Sequence, residues 1–269
     1  MNESDTTMIT DTSPVIPAVN WQGEPLDCHR CTNLPLKRSG GCVPMYACVF
    51  DRYARRIERF FRWNRTASND YLDHPYFEVR AIAGRYADIF RLTKLIDDPD
   101  ETVRLSVVAR LPHRLLMKLR DDPHREVRVR VAQRLEAAEL GAMMNDPDYY
   151  VRVLVARRLP TALLSQLRSD PDPGVRIEVA QRLDMPALLA MIDDPEVSVR
   201  RIVARRLPPG LLDRMLGDEA WEVRWELTQR AGPALLSVLS EDRDFEVCDE
   251  ARRRLALGTS ATEGAANHG

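Results

Sequence analysis

A valine, in most cases followed by arginine, returns at Val79, Val103, Val127, Val151, Val175, Val199, Val223 and Val247, always 24 residues apart. Eight in-register copies restrict the fold of this 269-residue chain more than any other feature. With the valine as position 1, position 5 is always apolar. Position 14 is leucine in seven complete units (Leu92 through Leu236), and position 20 is aspartate in the same seven (Asp98 through Asp242). One such unit cannot enclose its own leucines. Neighbouring units must share apolar faces, which is the logic of a solenoid.

The local chemistry of each unit predicts two helices. Asp98, Asp122, Asp146, Asp170 and Asp194 are each followed by proline, then usually by an acid, the preference of a helix start with the aspartate as N-cap. That helix should run through position 9 and stop near position 10, where Pro112, Pro160 and Pro208 remove a backbone donor. The residues left over, such as TALLSQLRS, have room for a short second helix of the tighter 3₁₀ kind, carrying Leu164 and Leu167 inward. No stretch alternates like a strand. The eighth unit deviates as a terminal cap should, with Cys248 in place of the arginine. The expected organisation is a disordered lead over 1–20, a small cysteine-bearing domain with a linking helix over 21–65, repeats over 66–257, and a disordered tail over 258–269.

Of the 39 basic residues 36 are arginine, and 14 of these hold two fixed places in the repeat. Arginine holds position 2 in seven units (Arg80 through Arg224) and position 8 in seven (Arg110 through Arg254). At 100° per residue the apolar positions cover an arc of about 200° that contains position 2. Those guanidinium groups should therefore be buried, and the aspartate of position 20 is the expected partner in an Arg-Asp ladder. Position 8 lies at the edge of the arc. Positions 4 and 7, which include Ile82, Arg85, Arg157, Glu178, Arg205 and Glu226, should be exposed and could line a partner surface.

Four of the five cysteines fall within 21 residues, as Cys28, Cys31, Cys42 and Cys48. The N-terminus carries acids instead of a basic export signal and no run is long enough to span a membrane. A cytoplasmic protein is expected, and in a reducing compartment clustered thiols point to metal more than to disulfides. The spacing C-x2-C-x10-C-x5-C departs from paired zinc knuckles and also suits an iron-sulfur cluster. Spacing alone leaves iron-sulfur and zinc both open.

The unit DPxxxVRxxVAxRLPxxLLxxLxD behind an N-terminal CxxC…C…C resembles the leucine-rich repeat variant (LRV) proteins associated with nitrogen-fixation genes. The resemblance covers about 21–257. It implies an all-α, right-handed superhelix of alternating α and 3₁₀ helices without β-sheet, and a small N-terminal domain with a 4Fe-4S cluster. Cys28, Cys31, Cys42 and Cys48 match the four ligand positions, which favours iron-sulfur over zinc. The DPxxxVR portion is also similar to bacterial HEAT-like repeats, whose Asp-Arg pairs agree with a ladder.

Between cysteines and repeats, CVFDRYARRIERFFRWNR is amphipathic, with Phe50, Tyr53, Ile57, Phe60 and Phe61 on one stripe and Arg52, Arg55, Arg56, Arg59 and Arg62 mostly off it. The stripe should cap the first repeat, and the arginines should stay solvated or dock an acidic partner. Nothing assembles a catalytic site: G-x-x-x-x-G-K, G-x-G-x-x-G and G-x-S-x-G are all absent. The leading expectation is a non-enzymatic scaffold that binds a protein partner and carries a cluster for electron transfer or redox sensing. Nucleic-acid binding is the alternative. A pI near 6.3, and 33 acids against 30 basic residues over the repeats, speak against it.

Overall fold

The computed structural model describes residues 16–266, with side chains through Leu257. The chain divides into two compact units, residues 1–131 and 132–269. Both are helical, and among the described residues the extended pairing is limited to two isolated bridges, Val19 with Pro25 and Val43 with Ala47.

The first unit begins with α1 (Leu34–Arg38) and α2 (Ala54–Trp63), followed by a 3₁₀ helix over Arg65–Asp70. Its repeats then supply α3 (Phe77–Tyr86), α4 (Glu101–Val108), the one-turn α5 (His113–Leu116) and the start of α6 (Arg125–Arg134). The 3₁₀ segments Ile89–Leu95 and Met117–Leu119 lie between them. The second unit holds α7 (Tyr149–Arg158), α8 (Thr161–Leu164), α9 (Pro173–Arg182), α10 (Val197–Arg206), α11 (Trp221–Thr228), α12 (Pro233–Leu239) and α13 (Phe245–Ala266). Its 3₁₀ pieces are Ala137–Met143, Ser165–Leu167, Ala187–Met191 and Pro209–Met215. The alternation of α and 3₁₀ helix is thus present in both units, with α5 and α8 opening the second element as one α turn and α12 replacing it outright. The repeated valines are fully buried, as are Leu92, Leu116, Leu140, Leu164 and Leu212 of position 14.

The helices start later than the Asp-Pro pairs suggest. The N-cap is position 22: Asp100, Asp148 and Asp172 accept from the backbone N–H two residues on. The aspartate of position 20 instead closes a turn ahead of the helix. Asp98 Oδ1, for example, accepts from Asp100 N at 3.0 Å, and Asp194 Oδ1 from Glu196 N at 2.9 Å. Proline at position 21 holds its predecessor out of the α region, so two acidic turns stand in series and the second one caps.

Position 20 is thereby free for arginine, and the ladder forms. Arg80 grips Asp98 through Nε at 2.7 Å and Nη2 at 2.8 Å. The same fork joins Arg104 to Asp122, Arg152 to Asp170, Arg176 to Asp194, Arg200 to Asp218 and Arg224 to Asp242. Each Nη1 also donates to the carbonyl of position 20 one unit back, as Arg176 does to Asp170 O at 2.8 Å. The pairing raises the arginine pKa along the ladder, the hydrogen-bonded carboxylate being the main cause.

Position 8 has an equally structural use. Arg182 donates to Ala156 O at 2.6 Å and Leu159 O at 2.8 Å, and Arg206 to Ala180 O and Leu183 O. These carbonyls end the preceding repeat helix, where no amide remains to satisfy them. Position 4 departs from the expected exposure. Ile82 and Glu226 are buried, and two position 4 acids pair with position 7 of the unit before: Arg157 with Glu178 at 2.7 Å, and Arg205 with Glu226. The variable positions are thus partly spent on neighbouring repeats.

Residues 16–20, expected to belong to a disordered lead, pack on the cysteine-bearing domain. The rest of that expectation, residues 1–15, lies outside the described residues. So do residues 267–269 of the expected disordered tail, while the backbone of α13 runs to Ala266.

Candidate cysteine-cluster site

The domain that carries the cysteines is built around a buried ion pair. Asp51 is fully buried and accepts from Arg56 Nη1 at 2.9 Å. The same guanidinium reaches back to Pro17 O at 3.2 Å and Ile16 O at 2.6 Å, which orders the lead segment. Arg56 was expected off the apolar stripe with the other arginines; it is buried because Asp51 and two carbonyls need its donors. The stripe itself behaves as expected, with Ile57, Phe60 and Phe61 fully buried. Helix α2 begins only at Ala54, after a turn in which Asp51 Oδ1 accepts from Tyr53 N at 2.9 Å.

Cys28, Cys31 and Cys48 line one open pocket of about 340 Å³, together with Trp21, Leu26, Arg30 and Phe50 among others. Cys42 stands beside Cys48, within reach of a thiol–thiol hydrogen bond. That bond, then burial, pushes the Cys48 thiol far above the usual range, and the same bond pulls Cys42 down. Burial raises Cys31. Backbone N–H groups lie toward two of the sulfurs: Asn33 N donates to Cys31 Sγ at 3.3 Å, and the amides of Phe50 and Asp51 are near Cys48. All four thiols are free.

At the pocket Trp21, Phe50, Tyr71 and His74 form an aromatic cluster, Trp21 against His74 and Phe50 against Tyr71 edge to face, with the Trp21 and His74 ring centroids 4.8 Å apart. Tyr71 OH and the Asn33 amide hydrogen-bond each other, fixing the residue that supplies the amide to Cys31. Burial lowers the pKa of His74 and raises that of Tyr71. Sequence reasoning missed these supports, since a lone Asp51 in an arginine run and a Tyr71 beyond α2 give no periodic signal.

The donor set fits an iron-sulfur group by its chemistry: soft thiol ligands only, three on one pocket wall, the fourth adjoining, with amides aimed at the sulfurs. Among the described residues no group of three or more His, Cys, Asp and Glu side chains is gathered so as to hold a single metal ion. Cys248 takes no part in the pocket lining and donates from Sγ to Ser240 O at 3.0 Å.

Helical repeats of α and 3₁₀ turns, headed by a four-cysteine domain, define a class of tandem-repeat protein, and comparison with known proteins narrows it. A solved leucine-rich repeat variant, described as having a novel repetitive protein structural motif, matches with a TM-score of 0.78 and 42% identity. That match covers 86% of this chain and 99% of the other. The chain belongs to the leucine-rich repeat variant family. A family model described as LRV protein FeS4 cluster matches residues 18–70, and one described as leucine rich repeat variant matches 198–220. A Rhodobacter capsulatus protein, described as an uncharacterized 27.7 kDa protein in the nifB 3′ region, is 46% identical over 94 residues. That stretch is 35% of this chain and spans 38% of the relative's length. Among the described residues no helix is long and apolar enough to cross a membrane.

Proposed function

We propose that the chain is a cytoplasmic iron-sulfur protein in which Cys28, Cys31, Cys42 and Cys48 hold a 4Fe-4S cluster and the repeats form a scaffold for a protein partner. The observation that carries this reading is that Cys28, Cys31 and Cys48 line one pocket with Cys42 beside Cys48, inside the segment matched by the FeS4 family model. Such a cluster supplies a one-electron couple. With all four ligands from cysteine no open iron is left for a substrate, so electron transfer or redox sensing is favoured over enzymatic turnover.

The surrounding residues set how that couple would behave. N–H groups directed at Cys31 and Cys48 stabilise negative charge on sulfur, and so favour the reduced state. The Asp51–Arg56 pair holds the chain directly after Cys48, and the Tyr71–Asn33 pair holds the chain directly after Cys31. The relative beside nifB supports a place in nitrogen fixation.

Anaerobic purification tests the proposal. The protein should be brown, with about four iron and four sulfide per chain, and should bleach with dithionite. Replacing Cys31 by alanine should remove most of the iron. Stoichiometric zinc without sulfide would overturn the reading.

A further inference from the structure

We propose that the loop between Cys42 and Cys48, together with the exposed face of α2, is the docking surface for an acidic electron-carrier protein. This rests on the cluster reading above and names the kind of partner and the place where it binds. The loop is a closed hairpin: Val43 N donates to Ala47 O at 2.9 Å and Ala47 N to Val43 O at 2.8 Å. At its tip Met45 adopts φ +61°, a left-handed conformation that non-glycine residues rarely take. Such a position persists only where the surroundings dictate it, and here it holds a hydrophobic tip out toward solvent.

Four large apolar side chains stand exposed in this small region: Val43, Met45, Tyr46 and Trp63. The Tyr46 and Trp63 rings lie 5.7 Å apart, which joins the loop and the end of α2 into one patch. Scattered exposed apolar residues are ordinary, whereas a contiguous group marks an interaction site. Aromatic residues and arginine are also the side chains that most often anchor protein interfaces.

Charge identifies the occupant. Arg55, Arg59 and Trp63 follow one another at four-residue spacing, with Arg62 alongside, so they share a face of α2. The Arg59 guanidinium lies 4.2 Å from the Tyr46 ring centroid and donates to Tyr46 O at 3.4 Å. Both acids of residues 51–65 are engaged elsewhere: Asp51 in the buried pair with Arg56, and Glu58 with Arg85 and Tyr86. The face is left positive around an apolar centre, which complements an acidic rim around a partner's redox centre. A duplex would find too few cations here, and four apolar side chains facing its phosphates. Because the loop is bracketed by Cys42 and Cys48, whatever docks on it is joined to two of the four thiols by a few residues of chain, the proximity that electron exchange requires.

The test measures binding of the full chain, purified anaerobically, to a plant-type [2Fe-2S] ferredoxin as the acidic probe, with a duplex DNA as comparison. Association should weaken at least tenfold between about 50 and 300 mM salt, as exposed charges are screened. The triple reversal Arg55→Glu, Arg59→Glu and Arg62→Glu should weaken it at least tenfold again, and Trp63→Ala about fivefold. A control reversal of equal charge on the repeats, Arg91→Glu, Arg168→Glu and Arg214→Glu, should change it less than threefold. Equal losses in both triples, no ferredoxin binding, or preferential binding of DNA through the same arginines would overturn the surface. Iron and sulfide counted on the same samples keep the readings apart. A loaded chain that ignores ferredoxin refutes the surface alone, and a chain without iron that still binds it refutes the cluster.

Discussion

Replacing Arg176 by alanine asks whether the repeats are held by their arginines. The Arg176 side chain is 10% exposed and that of Asp194 5%. The guanidinium donates through Nε at 2.8 Å and Nη2 at 3.0 Å to the carboxylate, and through Nη1 to Asp170 O. Truncation leaves Asp194 with the Glu196 amide, at 2.9 Å, as its remaining short contact. Removing one partner of a buried pair costs about 3–5 kcal/mol. The lower end applies here, because a cavity of about 430 Å³ lined by Arg176 and Asp194 gives water a route to the carboxylate. The expected loss is therefore about 3 kcal/mol. Arg176→Lys keeps the charge but not the fork, and should recover only part of it.

Urea unfolding followed by far-ultraviolet circular dichroism measures the effect as a shift in midpoint, provided the slope is unchanged. Combining Arg176→Ala with Asp194→Ala should cost clearly less than the two single losses added, since the double variant leaves no orphaned charge. A single-variant loss within about 0.5 kcal/mol, the range of an ordinary surface substitution, would refute the burial argument.

Three further outcomes follow from named contacts. The carboxyl of Asp242 is held below its ordinary 3.8, first by the hydrogen bond from Arg224; its contribution is complete above the unfolded carboxylate range and is lost as pH falls through the depressed value. Asp242→Asn should therefore lower stability near neutrality and flatten the acid limb of a stability–pH profile below about pH 4, and an unchanged acid limb would count against the pair. Arg182→Ala strips donors from Ala156 O and Leu159 O and should cost roughly 1–2 kcal/mol, with faster amide exchange at the end of α7. In Gly41→Ala the new Cβ would meet Asn64 Oδ1 at 2.8 Å, displacing the side chain that donates to Gly41 O at 2.7 Å; iron bound per chain should fall while helix content stays constant.

The repeat was legible because it is periodic and the physics of one unit is repeated in the next. Valine at position 1, leucine at position 14, and arginine opposite aspartate all followed from spacing. Spacing did not place the helix start, since Asp98 and Asp100 are both good caps, and only the demand of Arg80 for the first assigns the role to the second. The cysteine domain was legible in its ligand types alone. Its supports are single events: Arg56 turning inward to Asp51, Tyr71 reaching Asn33, Met45 set in a left-handed turn. Each is a tertiary contact between residues that no period links.

The arginines at the fixed repeat positions differ in role from those of α2, and the difference bears on where a partner can bind. At position 2 the fork is filled by a carboxylate and a carbonyl; at position 8 the donors close helix ends. Both populations are engaged with the chain itself, and together they make up 14 of the 30 basic residues of the repeats. Positions 4 and 7 add ion pairs that cancel charge between neighbours, as in Arg157 with Glu178. An acidic partner therefore gains little from the repeats on charge alone. The cations whose acidic neighbours are already engaged stand on α2, beside the loop joining Cys42 to Cys48. Much of the arginine in the sequence thus serves to staple the repeats, and the arginines of α2 are the ones the docking proposal asks to carry recognition.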